Sequence, residues 1–161
     1  MRVPSLIRRS SVILITAVVA LASCGTKELS RDGFIDAVAR TCESANLQLE
    51  RIAQPSPAPD GSPDPVALAS FLADALAVSE NAADVVRAMR APDELKVAQE
   101  QLVAAMDAAN EGLADAVEAA EASDEQAMAA AVAAIQTGRS SFDSLTASMG
   151  IDACRTLPAS G

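Results

Sequence analysis

The spacing of apolar residues constrains the fold of this chain more than any other feature. Along four separate stretches these residues recur every three or four positions. That period is typical of an amphipathic α-helix with one buried face. The stretches run from 30 to 53, from 65 to 90, from 93 to 120 and from 123 to 149. The sequence therefore predicts an all-α protein with helices of roughly 24 to 30 residues.

Capping residues and helix breakers separate the four stretches. Ser30 and Asp64 precede the first two as N-caps, and Ser123 precedes the fourth in a capping-box pattern. Gly150 then ends the fourth stretch. Segment 54–64 contains four prolines, so it cannot be helical. One long proline-rich loop and two short turns predict an antiparallel, up-down-up-down four-helix bundle over residues 30–161, with the fourth helix beside the first.

Residues 1–23 have the layout of an export signal. Arg2, Arg8 and Arg9 form a basic region, and residues 12–22 are almost wholly apolar. About eleven apolar residues are too few for a membrane span, which needs roughly 20. We therefore expect this segment to be exported and removed. The adjacent arginines also leave the twin-arginine route open, although the residues after them depart from that pattern.

Residues 21–24, Leu-Ala-Ser-Cys, resemble the lipobox of bacterial lipoproteins: a branched aliphatic residue, two small residues and a cysteine. The resemblance implies a diacylglycerol on the sulfur of Cys24, cleavage before Cys24, and acyl chains such as palmitate that hold the protein on the extracytoplasmic side of the cell membrane. Residues 24–29 would then be a lipidated tether, and no spanning helix is needed. The alternative is an ordinary secretory signal, in which Cys24 is a third thiol.

The two remaining cysteines are Cys42 and Cys154. Outside the cytoplasm, an even pair of thiols is most simply one disulfide. Cys42 lies in the middle of the apolar face of the first helix, so its partner must pack against that helix. The alternative, a redox-active or Cu(I)-binding pair, lacks a CxxC motif and a neighbouring Lys or His that would lower a thiol pKa.

Composition excludes several functions. The chain carries a formal net charge of −10, and such a surface repels nucleic acid, which we exclude as a partner. There is no His, Trp or Tyr, so imidazole bases and ligands are missing, as are indole or phenol platforms for stacking. Neither a GxSxG nor an SxxK motif is present. We expect no enzymatic activity and no cofactor.

Two sets of polar residues are candidates for binding. Four helix-3 carboxylates share one row and could hold a hard cation such as Ca²⁺: Asp107, Glu111, Asp115 and Glu118. A row with this spacing is more typical of a solvated helix face, and we predict no metal site. The weaker second candidate pairs Ser79, at a core-facing position of helix 2, with Arg139 as an anion anchor beside Gly138. The alternatives are a serine that bonds back to its own helix and a glycine that permits close approach of helix 1.

Two functions remain. The first is an envelope-anchored protein-interaction or scaffolding module. It predicts an exposed apolar patch or groove for an unidentified envelope protein, and the proline-rich loop leaves room for one between helices 1 and 2. The second is a carrier of a small apolar ligand or lipid, which predicts an apolar cavity among the helices.

Overall fold

The computed structural model describes residues 28–57 and 64–155, and over those ranges the chain forms four α-helices and two short 3-10 turns. The prediction of an all-α bundle with one disulfide is confirmed. The export signal, Cys24 and the tether through residue 27 lie outside the described residues. The helices are α1 (Arg31–Leu49), α2 (Pro65–Ala88), α3 (Lys96–Ala122) and α4 (Glu125–Ser148), and the 3-10 turns are Asp93–Leu95 and Asp152–Cys154.

Three of the predicted helix ends are confirmed. The Ser30 hydroxyl accepts a hydrogen bond from the backbone N–H of Gly33 at 3.1 Å. The Asp64 carboxylate accepts two backbone hydrogen bonds, at 2.9 and 3.2 Å. Each cap satisfies donors that the first helical turn leaves unpaired. Gly150 has a φ of 75°, the left-handed conformation that ends α4.

Helix α1 ends at Leu49, four residues before the predicted end at Ala53. The next residues form tighter turns, in which the N–H of Arg51 bonds to the carbonyl of Gln48 and the N–H of Ile52 to that of Leu49, both at 3.1 Å. Leu49 is 36% exposed, so this end of the helix has little packing to extend it. An apolar period alone does not sustain a helix beyond its last packed residue.

The turn between α3 and α4 differs from the prediction at one residue. Ser123 is the left-handed C-cap of α3, with a φ of 53°, and is not the N-cap of α4. Asp124 caps α4, accepting from the N–H of Ala127 at 2.9 Å. A reversal over two residues needs one residue of left-handed conformation, so the capping role falls to the next residue.

Helix α3 is the centre of the packing, with α2 along one side and α4 along the other. Two glycines set its distance from α4. A Cβ on Gly138 would lie 2.7 Å from the backbone nitrogen of Ala109, and a Cβ on Gly112 would lie 2.8 Å from that of Ile135. The close approach at Gly138 is therefore to α3, and the expectation that it faces helix 1 is wrong.

The largest buried side chains lie at the end of the bundle where α1 begins. Phe34 and Val38 of α1 meet Leu95 of the first 3-10 turn and Ile151 after α4, and none of the four is more than 8% exposed. Phe142 and Met149 of α4 pack against this cluster. Within the described residues, α1 packs on α2 and on the last 3-10 turn and has little direct contact with α4, so the prediction that the fourth helix lies beside the first is wrong. The last 3-10 turn contacts both helices and links α4 to α1. In the distal half of the pair of α3 and α4, the buried apolar residues are instead alanines: Ala116, Ala119, Ala120 and Ala131.

The predicted disulfide joins α1 to the last 3-10 turn. The Cα atoms of Cys42 and Cys154 are 5.0 Å apart, and the two residues are separated by 112 positions in the sequence. One turn beyond Cys42, the Asn46 side-chain amide donates to the carbonyl of Ala153 at 3.3 Å. The chain end is therefore attached to α1 by a covalent bond and an adjacent hydrogen bond.

Replacing Cys42 and Cys154 together by alanine should lower the free energy of unfolding by about 4 to 5 kcal/mol, because an unfolded chain without the cross-link has more loop entropy. Urea unfolding followed by circular dichroism measures the change. Equal midpoints for the oxidised protein and the double variant would contradict this prediction.

Gly138→Ala should lower the free energy of unfolding by about 1 to 3 kcal/mol, because the new methyl group overlaps the α3 backbone. Helix propensity alone would act in the opposite direction, stabilising by about 1 kcal/mol. The sign of the shift in thermal midpoint therefore distinguishes the two effects. A variant as stable as the parent would mean that α3 and α4 separate easily at this crossing.

Candidate functional site

A small cavity of about 120 Å³ lies beside the disulfide, where residues from all four helices meet. Its wall is mainly apolar and includes both disulfide cysteines. The apolar lining includes Ala45, Ala82, Val86, Met106, Ala109 and Phe142. The cavity is partly open to solvent, and its mainly apolar wall favours apolar groups.

Ser79 and Arg139, the two candidate ligand-binding residues, both line this cavity. Arg139 is the one charged residue in its described lining. Within the described ranges neither Ser79 nor Arg139 takes part in a side-chain hydrogen bond. Thr41 and Thr137, by contrast, bond back to carbonyls of their own helices at 2.9 Å. The alternative in which Ser79 satisfies itself in the same way is therefore wrong, and its hydroxyl is available at the cavity.

A shallow groove runs between α1 and α2. The base contains Val78 and Ala82, and Val85 at its side is 42% exposed. Met89 lines one end of the groove and Gln48 the other. Polar side chains border the apolar base: Arg40, Ser44 and Asn81. The groove between helices 1 and 2 that the sequence suggested is therefore present.

A second groove, between α2 and α3, is polar. Arg87 donates to Asp84 on its own helix and to Asp107 on α3, the latter at 2.6 Å. The hydrogen bond to Asp107, followed by its charge, raises the pKa of Arg87 above the ordinary value. These side chains are about half exposed or more, so the ion pairs add little to stability. Arg87 occupies the space between the two carboxylates that a cation would need.

The helix-3 carboxylates follow one another along the surface of α3 without meeting at one point. Asp107, which pairs with Arg87, and Glu111 line the polar groove between α2 and α3, and Glu111 and Asp115 line the open groove between α3 and α4. Glu118 lies farther along α3. Across residues 28–57 and 64–155, no group of three or more His, Cys, Asp or Glu side chains has an arrangement that could hold a metal ion.

Asn110 is a buried polar residue that periodicity did not identify. It is 8% exposed on α3, facing α2, and its side-chain oxygen is buried without a hydrogen-bond partner. Asn46 was missed as well, although it lies at the cavity and binds the chain end. Both are single amides within helices, and no sequence signal separates them from ordinary surface asparagines.

Among the described helices, α2 alone is long and apolar enough to cross a membrane, with a mean hydropathy of 1.3 in its most apolar window. Core helices of water-soluble proteins share this property. Helix α2 packs along α3 and forms an ion pair with it from Arg87 to Asp107. Such contacts are typical of a helix within a bundle.

Comparisons with known proteins do not assign the chain to a family. No protein-family model matches it, and no curated protein or solved structure is significantly similar to it.

The two missed asparagines should respond oppositely to the same substitution. Asn110→Leu keeps the branched shape and removes an unpaired buried oxygen, so the free energy of unfolding should rise by about 1 kcal/mol. Asn46→Leu removes a hydrogen bond to the chain end and should lower the free energy of unfolding by about 1 kcal/mol. Urea midpoints measure both, and a loss of stability in Asn110→Leu would show that its amide is satisfied in solution.

Proposed function

We propose that this protein is a non-catalytic interaction module, held on the extracytoplasmic face of the cell membrane by acyl chains on Cys24. The lipobox-like residues 21–24 support the anchor. Pairing of Cys42 with Cys154 agrees with an oxidising compartment, where such bonds persist.

The groove between α1 and α2 is the observation that carries this proposal. Its apolar base and polar borders have the chemistry of a surface that takes the apolar face of a partner helix. Val85 supplies exposed apolar area at the side of the groove. The partner that fits is an amphipathic helical segment of another envelope protein.

The proposed anchor also orients the groove. Five residues lead from Cys24 to Leu29, and they can span at most about 18 Å. The N–H of Leu29 donates to the carbonyl of Arg90 at 3.0 Å, so the start of α1 and the end of α2 lie together nearest the anchor. The groove then extends away from the membrane, from Met89 toward Gln48. A partner held in the same membrane can reach it.

The alternative, a carrier, is supported only in a restricted form. A cavity of about 120 Å³ is smaller than the roughly 150 Å³ cavity that accommodates benzene. It is therefore far too small for a lipid acyl chain, and a carrier function would be limited to a small ligand.

Crosslinking in the producing host tests the main proposal. The full-length protein carries a photo-reactive residue in place of Gln48, at the groove edge, and its adducts in isolated membranes are identified by mass spectrometry. Val85→Glu should reduce the main adduct at least fivefold, because a carboxylate in the groove opposes apolar docking. Val66→Glu is the matched control: Val66 is 79% exposed at the opposite end of α2.

Cys24→Ser in the same experiment should move the protein out of the membrane fraction. Equal adduct yields for the Val85 and Val66 variants would contradict the groove. Retention of Cys24→Ser in the membrane would contradict the acyl anchor and leave the groove to be judged by its own variants.

A further inference from the structure

The cavity beside the disulfide has a property that the interaction function does not use. In a chain with a formal net charge of −10, the one charged side chain in its described lining is the cation Arg139. The rest of the lining is mainly apolar, apart from small hydroxyl and amide groups such as those of Ser79 and Asn46. One positive charge beside an apolar chamber complements a ligand with one negative charge and a short apolar body.

We infer that this cavity binds a small organic carboxylate, with Arg139 pairing to the carboxylate and the apolar tail lying against the disulfide, Met106 and Phe142. The planar guanidinium donates two parallel hydrogen bonds to a carboxylate, a geometry that suits this head group better than a point charge would. The Ser79 hydroxyl is an additional donor in the lining.

Arg139 is available for this role. Within the described residues it forms neither an ion pair nor a hydrogen bond, although Asp143 lies one helical turn away on α4. One oxygen of Asp143 is buried and also has no hydrogen-bond partner. Asp143 is therefore the group most able to compete with a ligand for Arg139, and the structure leaves that pair unformed.

The cavity volume limits the tail. A cavity of roughly 150 Å³ accommodates benzene, which has six carbon atoms. At about 120 Å³, this chamber accommodates a tail of about four to six carbons. The tails of pentanoate and hexanoate fit this limit, whereas the tail of decanoate exceeds it.

The test uses the full exported chain carrying Cys24→Ser, so that the protein carries no acyl anchor and can be studied in solution. Hexanoate is titrated while backbone amide shifts are recorded by NMR. We expect a saturable response centred on residues near Cys42, Ser79 and Arg139. Hexanol, which has the same number of carbon atoms without the charge, and decanoate should each bind at least tenfold more weakly than hexanoate.

Three variants test whether the charge of Arg139 binds the carboxylate. Arg139→Gln should weaken hexanoate binding at least tenfold, whereas Arg31→Gln, an equal charge change at the exposed first residue of α1, should alter it less than twofold. Asp143→Asn should strengthen binding by removing the competing carboxylate. Thermal midpoints verify that each variant is folded.

Equal affinities for hexanol and hexanoate would overturn the inference, since the cavity would then be an apolar space without an anion anchor. Equal losses in Arg139→Gln and Arg31→Gln would also overturn it, because the effect would come from overall charge. A response that does not saturate up to about 20 mM hexanoate would also overturn the inference. This concentration is roughly the upper limit of useful affinity on the millimolar scale. None of these results bears on the groove between α1 and α2, whose variants leave the cavity charge unchanged.

Discussion

The Cys42–Cys154 disulfide is the constraint on which the position of α1 depends. Helix α1 is the shortest of the four helices, and the proline-rich segment separates it from the helical hairpins that follow. Phe34 and Val38 bury it only at its beginning, while its end at Leu49 is poorly covered. The cross-link fixes the helix between these two regions. The same bond forms a wall of the cavity, so the anchoring of α1 and the shape of the binding site have one origin.

The general fold could be predicted because apolar residues recur every three or four positions in each helix, and Ser30, Asp64 and Gly150 mark three of the helix ends. Because two cysteines remain in a chain that is expected to be exported, the sequence also predicted one long-range contact, the disulfide. The register between α3 and α4 could not be predicted, because so many positions on both helices are alanine that several alignments bury similar area. Gly112 and Gly138 fix that register because each lies against the backbone of the opposite helix. The pattern of apolar residues does not indicate such backbone contacts.

The candidate site could be predicted in part. Ser79 and Arg139 interrupt otherwise apolar or small-residue segments, and such interruptions are visible in a sequence. The sequence suggested that the two residues face the same region, but the cavity they share depends on how α2 and α4 are placed across α3, which the sequence did not predict. Asn46 and Asn110 carried no signal, because a helical amide looks the same whether it faces water, the chain end or a neighbouring helix.

The cross-link also determines what a protease could release. Any single break between residues 43 and 153 leaves two fragments that the disulfide still joins. A chain attached to the membrane at Cys24 would therefore keep α2, α3 and α4 at the cell surface after cleavage beside the exposed Ser56. Shedding of these helices would require two events, a cut and a reduction, so the redox state of the surroundings would govern how long a nicked molecule stays in place.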